Sequence, residues 1–225
     1  MLGGAHLTSK LEAILRKEQP EDYRIVEELT KEAFWNQNMP GCDEHYLLHI
    51  MRSAPCFIKD LDYVAEIDGK IVGNIVYTKA TILDDSGKHH EVLSFGPVSV
   101  LPEYQGMGIG SKLIEHTKAI AKELGYNAIL IYGDPDYYCR FGFVQAESFK
   151  IGTADNMYAP PLQALELIPG SLSNIKGRFF EDAVYHIDPA AAKEFDKTFP
   201  QKGLRDGLPS QDRFRYLTSL NRPRI

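Results

Sequence analysis

The sequence predicts an α/β protein with a mixed sheet and helices on both faces. Three observations carry this. From Ala13 to Ile151, strand and helix patterns follow one another in the order β-α-α-β-β-β-α-β-α-β. Asp68-Gly69 separates two apolar runs, a two-residue hairpin signal that makes part of the sheet antiparallel. Asn127–Tyr132 reads Asn-Ala-Ile-Leu-Ile-Tyr, nearly all apolar, as a strand covered on both faces requires.

In chain order, Ala13–Lys17 is a short apolar-basic run, read as the first strand. Pro20-Glu21-Asp22 opens a helix, because proline and acids belong in a first turn. Ile25, Val26, Leu29, Ala33 and Phe34 give it an apolar stripe. Trp35–Gly41 ends it with Asn, Pro and Gly, and Asp43–Arg52 reads as a second helix capped by Asp43. Leu61–Ile67 and Lys70–Leu83 are the hairpin strands; Asp84–His90 turns back into a third strand, Glu91–Val100. A helix over Ser111–Leu124 stops at Gly125, ahead of the Asn127–Tyr132 strand. Beyond Ile151, Leu162–Ile168 and Arg178–His186 read as strands around the turn Pro169-Gly170-Ser171. Asp188-Pro189 starts a helix to about Phe195, and Ser210 caps a last one, Gln211–Leu220.

Composition bounds the function. The 225 residues are 44% hydrophobic and 25% charged, ordinary for a globular domain with an extension. A net charge of −6 without a long basic run argues against nucleic acid as a partner. Cys42, Cys56 and Cys139 form an odd set with no C-x-x-C, which suits a reducing compartment and a cytoplasmic location. No apolar run approaches a membrane span, so no membrane partner is expected. Met1–His6 is given no structural weight.

The informative stretch is Val92–Ser111, VLSFGPVSVLPEYQGMGIGS. A strand runs into a glycine-spaced turn, Gln105-Gly106-Met107-Gly108-Ile109-Gly110, and then a helix. The first turn of a helix has unpartnered N–H groups and a partial positive charge. Glycine lets a pyrophosphate approach the backbone. The turn therefore reads as a cradle for a nucleotide-type diphosphate. It is not a P-loop: Gly110 is followed by Ser111-Lys112 rather than Lys-Ser/Thr. A dinucleotide fingerprint counted from Gly106 needs glycine at position 111, where Ser111 stands, which disfavours a nicotinamide-dependent enzyme.

Gln105, Gly108 and Gly110 instead fit Gln-x-x-Gly-x-Gly, which resembles the acetyl-CoA signature of the GCN5-related N-acetyltransferase (GNAT) superfamily. Val98–Tyr104 is similar to that family's strand entering the motif. Downstream, Tyr138-Cys139-Arg140-Phe141-Gly142-Phe143 is similar to its Tyr-x-x-x-Gly-Phe block. The longer form from Gly133 to Phe143 resembles a bacterial subgroup of predicted N-acetyltransferases. The resemblance implies a mostly antiparallel central sheet flanked by helices, with an N-terminal tail (1–12), an acetyltransferase core (13–153) and a C-terminal extension (154–225). It implies acetyl-CoA as cosubstrate, bound by Val98, Ser99, Val100, Gln105, Gly106, Met107, Gly108, Ile109, Gly110, Ser111 and Phe141. It implies transfer of acetyl to an amine of a small molecule or protein through a direct ternary complex. It also implies that the strand Val98–Val100 splays from its neighbour. The extension completes the sheet, covers the acceptor side or forms a homodimer contact.

That chemistry asks for three things. The amine, with a pKa near ~10.4 when lysine-like, must lose a proton. The tetrahedral intermediate needs an oxyanion donor, for which the splayed backbone of Val98–Val100 is the candidate. The thiolate, with a pKa of about 8.5, leaves with help from a hydroxyl, and the four-residue spacing to Gly142 selects Tyr138 over Tyr137. Glu91, His45 and Glu44 are the candidate bases, and spacing singles out none. Asp134 and Asp136 read as first-turn capping acids. His45 and His49 share a helix face downstream of Cys42, but lack a fourth ligand, and no metal is expected. His89-His90 sits at a hairpin tip and is expected to be solvated. Phe57 and Trp35 are pocket or core aromatics. A non-catalytic acyl-CoA sensor of the same fold is the competing reading.

Overall fold

The computed structural model describes residues 12–224. The expected tail therefore lies outside the described residues, apart from Glu12. The described chain folds around one nine-stranded sheet. Its first strand, β1 (Ile14–Lys17), leads through a 3-10 turn at Pro20–Asp22 into helix α1 (Tyr23–Phe34) and then α2 (Glu44–Met51). Strands β2 (Tyr63–Ile67), β3 (Lys70–Asp84) and β4 (His89–Val100) follow as an antiparallel meander. Asp68 and Gly69 both take positive φ, 50° and 78°, as a two-residue turn pairing Ile67 with Lys70 demands.

Helix α3 (Ile109–Glu123) crosses to β5 (Ala128–Tyr132), which lies parallel to β4. A single turn, α4 (Pro135–Tyr138), precedes short strands β6 (Val144–Gln145), β7 (Ile151–Gly152) and β8 (Met157–Tyr158). The C-terminal segment supplies β9 (Leu162–Glu166), β10 (Gly177–Phe180), α5 (Pro189–Asp196), α6 (Pro209–Ser219) and β11 (Arg222–Pro223). Strand order is β1-β2-β3-β4-β5-β9-β6, and β10 pairs with the far end of β3 and with β7. No described helix is long and apolar enough to cross a membrane.

Alternation along the strands sends side chains to two faces. Leu93, Phe95 and Ile129 join Leu113 and Ile114 of α3 in one core. Val26, Leu29, Leu47, Leu48 and Met51 of α1 and α2 cover Val64, Ile71 and Val76 on the other face. Val92, Leu130, Leu162 and Phe179, the last from β10, extend that second face.

The sheet opens at one place. β4 and β5 pair only at Leu93 and Ile129, yet β4 runs on to Val100 with β3 alone beside it. A bulge marks the parting: Gly96 and Pro97 together face the single residue Val76. Proline has no N–H to give a neighbouring strand, so this edge does not re-pair with β5.

Several expected boundaries shift for physical reasons. The second strand of the extension is shorter than the expected Arg178–His186. It ends at Phe180, because Asp182 turns back to accept from the Val184 amide at 2.9 Å. The last helix begins at Pro209, not after Ser210; Gln211 reaches back to the Leu208 amide at 3.2 Å and closes the first turn in place of a serine cap. Asp43 precedes α2, but Glu44 rather than Asp43 supplies the side-chain acceptor, taking the Asp43 amide at 3.1 Å. His89 is exposed, as expected, whereas His90 is only partly so and pairs with a neighbour: its Nε2 lies 2.6 Å from Asp84. Asp188 does open α5, accepting from the Ala190 amide at 2.9 Å.

Candidate active site

A cavity of about 640 Å³ opens where β4 leaves β5. Three elements supply its walls. The first is the glycine turn. Gly108 sits at the N-cap of α3 with φ 81°, a left-handed conformation that glycine adopts freely. No side chain caps α3, and nothing lies within 4 Å of where a Cβ of Gly106 or Gly108 would stand. The first-turn amides of α3 thus face open space at the positive end of a 15-residue helix. Gln105 fastens this turn to the sheet, donating from Nε2 to the Val100 carbonyl at 3.0 Å.

The second wall is the parted end of β4, presenting Val98 and Val100. The third carries the tyrosines. Gly133 follows β5 without a side chain, and the Tyr138 ring occupies the space where its Cβ would fall. Asp134 then caps α4, accepting from the Asp136 amide at 2.9 Å, and the one-turn helix delivers Tyr137 and Tyr138 to the cavity. Tyr138 packs among Phe95 at 5.9 Å and Phe143 at 5.7 Å, edge or tilted. Burial pushes the hydroxyls of Tyr138 and Tyr137 above the ordinary phenol range. Both are therefore protonated donors near neutral pH.

The cavity closes on the α1 side with Ala33, Phe34, Gln37 and Asn38. Among the described residues, Arg140 is the only charged side chain that lines it. Its guanidinium lies 4.5 Å from the Tyr137 ring centre, and its Nε donates to the Tyr137 carbonyl at 3.0 Å. A single fixed cation beside a helix N-terminus favours an anionic occupant.

Of the candidate binding residues, Val98, Val100, Gln105, Gly106, Gly108, Ile109, Gly110 and Ser111 line this cavity, together with Tyr138. Three stand elsewhere. The Ser99 side chain points to the opposite face, where its Oγ meets Thr30 of α1 at 3.0 Å. Met107 projects to solvent, 56% exposed. Phe141 is 5% exposed in the core under α3, and its carbonyl accepts from Lys118 Nζ at 2.8 Å.

The candidate bases separate clearly. Glu91 pairs with Lys79 at 3.0 Å near the opposite end of β4. His45 is fully buried beside Asp196, 3.1 Å away, and burial lowers it to about 4. Glu44 stands next to the cavity: Asn38, which lines it, places Nδ2 a long 3.5 Å from Glu44 Oε1. Burial pushes the Glu44 carboxyl up. His49 turns to Glu27 at 2.9 Å, so the two histidines take different partners. Among the described residues, no group of three or more His, Cys, Asp or Glu side chains is arranged to hold a metal. Phe57 packs against the α1–α2 core, while Trp35 lines a second, smaller cavity with Lys202 and Arg205.

Two contributors had no signal in the spacing. Arg213 of α6 forks onto Asp134, Nε to Oδ2 at 2.8 Å and a terminal nitrogen to Oδ1 at 2.9 Å, and also reaches Asp136 at 2.6 Å. Asn38 lies in an irregular loop whose course depends on the distant segment around Gly203.

The comparisons with known proteins agree with this geometry. Residues 60–145 match the model of the acetyltransferase (GNAT) domain, a span that holds β2 to β6 and most of the cavity. Over that span the chain resembles the GNAT acetyltransferase domain. The chain is 38% identical over 85 residues to the uncharacterized N-acetyltransferase YjhQ of Escherichia coli, covering 37% of this chain and 45% of that protein. It is 25% identical over 130 residues to the uncharacterized N-acetyltransferase YhbS of the same species, covering 58% of this chain and 72% of that one. The chain thus spans less than half the length of YjhQ. Among solved structures, a GNAT acetyltransferase of Brucella melitensis in complex with acetyl-CoA superimposes with TM-score 0.60 at 29% identity, over 78% of this chain and 99% of that one. The E. coli YhbS structure, in complex with CoA, superimposes with TM-score 0.69 over 79% of this chain and 93% of that one, and at 24% identity it speaks to the fold.

Proposed function

We propose that the protein is an acetyl-CoA-dependent N-acetyltransferase that passes acetyl directly to an amine of a small molecule or protein. One observation carries the reading: a single cavity brings together an uncapped helix N-terminus, the end of β4 that has parted from β5 and a tyrosine with a protonated hydroxyl. The Brucella relative crystallised with acetyl-CoA supports the choice of cosubstrate.

In this reading the amides of Gly108–Ser111 and the charge of Arg140 hold the cosubstrate's pyrophosphate. Val98 and Val100 flank the thioester. The amine enters from the side of Phe34 and Asn38, and Glu44 takes its proton, through water or directly. The neutral nitrogen attacks the thioester carbonyl, and a β4 amide at the parted edge stabilises the oxyanion. The C–S bond then breaks as the nitrogen's remaining extra proton passes through water to the departing sulfur, and the Tyr138 hydroxyl steadies that sulfur by donating a hydrogen bond to it. Its high pKa favours hydrogen bonding over complete proton transfer to a thiolate near ~8.5.

A second reading, acyl-CoA binding without turnover, draws on the lack of a carboxylate among the described lining residues. An acceptor screen that follows free thiol separates them. Release above the uncatalysed rate with any amine establishes the transferase; tight acetyl-CoA binding with no release across the panel leaves the sensor.

A further inference from the structure

Two sides of the cavity, the α1 side and the tyrosine wall, are tied together by one short piece of the C-terminal segment. Gln211 is fully buried and donates to two carbonyls, Asn36 at 3.0 Å and Arg205 at 2.9 Å. Asn36 begins the loop that carries Gln37 and Asn38 into the cavity, and its own side chain accepts from the Gly41 and Arg205 amides at 2.8 and 3.1 Å. Two residues after Gln211, Arg213 clamps Asp134 and Asp136. Those acids open the single helical turn that delivers Tyr137 and Tyr138. A four-residue helix has little stability of its own, so its orientation depends on what holds its ends. Asp134 is committed to capping and to Arg213, and a forked guanidinium fixes direction as well as distance.

We infer that Arg213 is a positioning residue, which sets the orientation of Tyr138 through Asp134 from a helix whose other anchor holds the acceptor wall. The inference rests on the acetyltransferase reading. It does not require the pair to stabilise the fold. Arg213 and Asp134 side chains are 38% and 35% exposed, and ion pairs so open to water add little to stability. Misplacing a reacting group, by contrast, costs up to roughly 10²-fold in rate.

The test uses the full chain with acetyl-CoA and hydroxylamine, an amine already neutral at pH 7, and follows thiol release. Arg213→Met should lower kcat roughly tenfold or more, with KM for acetyl-CoA unchanged within about twofold. Arg213→Lys should restore part of the loss. In a Tyr138→Phe background, Arg213→Met should add less than about twofold, because the group it positions is gone. Asp134→Asn keeps a capping oxygen and breaks the same pair from the other side, so it serves if Arg213→Met folds poorly. Full kcat in both Arg213→Met and Asp134→Asn overturns the inference, as does an equal loss with or without the Tyr138 hydroxyl. Wild-type protein that binds acetyl-CoA but releases no thiol with hydroxylamine or with any amine of the acceptor panel contradicts the enzymatic reading itself, whatever the variants do.

Discussion

Between β2 and β6 the chain buries Leu93, Phe95, Leu113, Ile114, Ile129 and Phe143 almost completely, and polar side chains are rare at the contacts. Between Asp196 and Arg213 the pattern reverses. Phe199 is the one large apolar side chain buried there; the attachments are polar. Lys31 reaches Asp196 at 2.6 Å and the Pro200 carbonyl at 3.1 Å, Trp35 and Asn36 both donate to the Gly203 carbonyl, and Gln211 and Arg213 follow. Burial of apolar area holds the first region with energy that is large and non-directional. Directional bonds hold the second, each worth little in stability and much in geometry. In the proposed reaction Tyr138 and the parted edge of β4 belong to the first region, and Arg213, the proposed positioner of Tyr138, to the second.

Four measurements sharpen or break that division, from the largest effect to the smallest. Tyr138→Phe removes only a hydroxyl from the first region, and kcat should fall about 10²–10⁴-fold with acetyl-CoA affinity little changed. Tyr137→Phe should cost much less; the reverse ranking in steady-state kinetics moves the acid to Tyr137. Leu113→Ala, in the α3 core, should cost about 2–5 kcal/mol in denaturant unfolding, since Leu113 is fully buried. Gln211→Ala leaves the Asn36 and Arg205 carbonyls short of a donor, and about 1–3 kcal/mol is expected by the same method. A Gln211→Ala loss larger than that of Leu113→Ala would reverse the comparison.

The smallest effect is a pH dependence just past the end of β10. Burial raises the Glu181 carboxyl to about 7. The folded side chain thus holds its proton to higher pH than the unfolded one. Its contribution is fully present below the ordinary carboxylate range and is lost as pH rises through about 7. Glu181→Gln should therefore raise the Tm near pH 8, with a smaller gain near pH 5; equal gains at both would contradict a buried, titrating carboxyl.

The same division explains what is legible in the sequence. Apolar periodicity is local, so α1, the β2–β3 hairpin at Asp68-Gly69, α3 and β5 can be read within a residue or two. The glycine turn is readable because Gly108 answers to backbone geometry that no other residue adopts freely. The parting of β4 from β5 leaves no mark in the spacing of apolar residues. Only the family resemblance implies it, and its physical trace is the Gly96-Pro97 bulge. Phe141 belongs to the core rather than the cofactor wall, and a motif does not say which side of a turn faces inward. Arg213 and Gln211 carry no signal. Their partners lie 79 and 175 residues away, and a polar pairing over such a distance leaves no period in the chain.

The proposed acetyl-CoA cradle at the head of α3 is tested most directly by calorimetric titration of acetyl-CoA into wild-type protein and Gly108→Asn. Asparagine tolerates φ near 81°, so the turn survives while a side chain fills the open space at the helix N-terminus. The expected result is saturable binding to the wild type, at least about tenfold weaker binding to the folded variant, and no comparable heat from NAD. Equal affinity in both proteins, or binding of NAD alone, would contradict it.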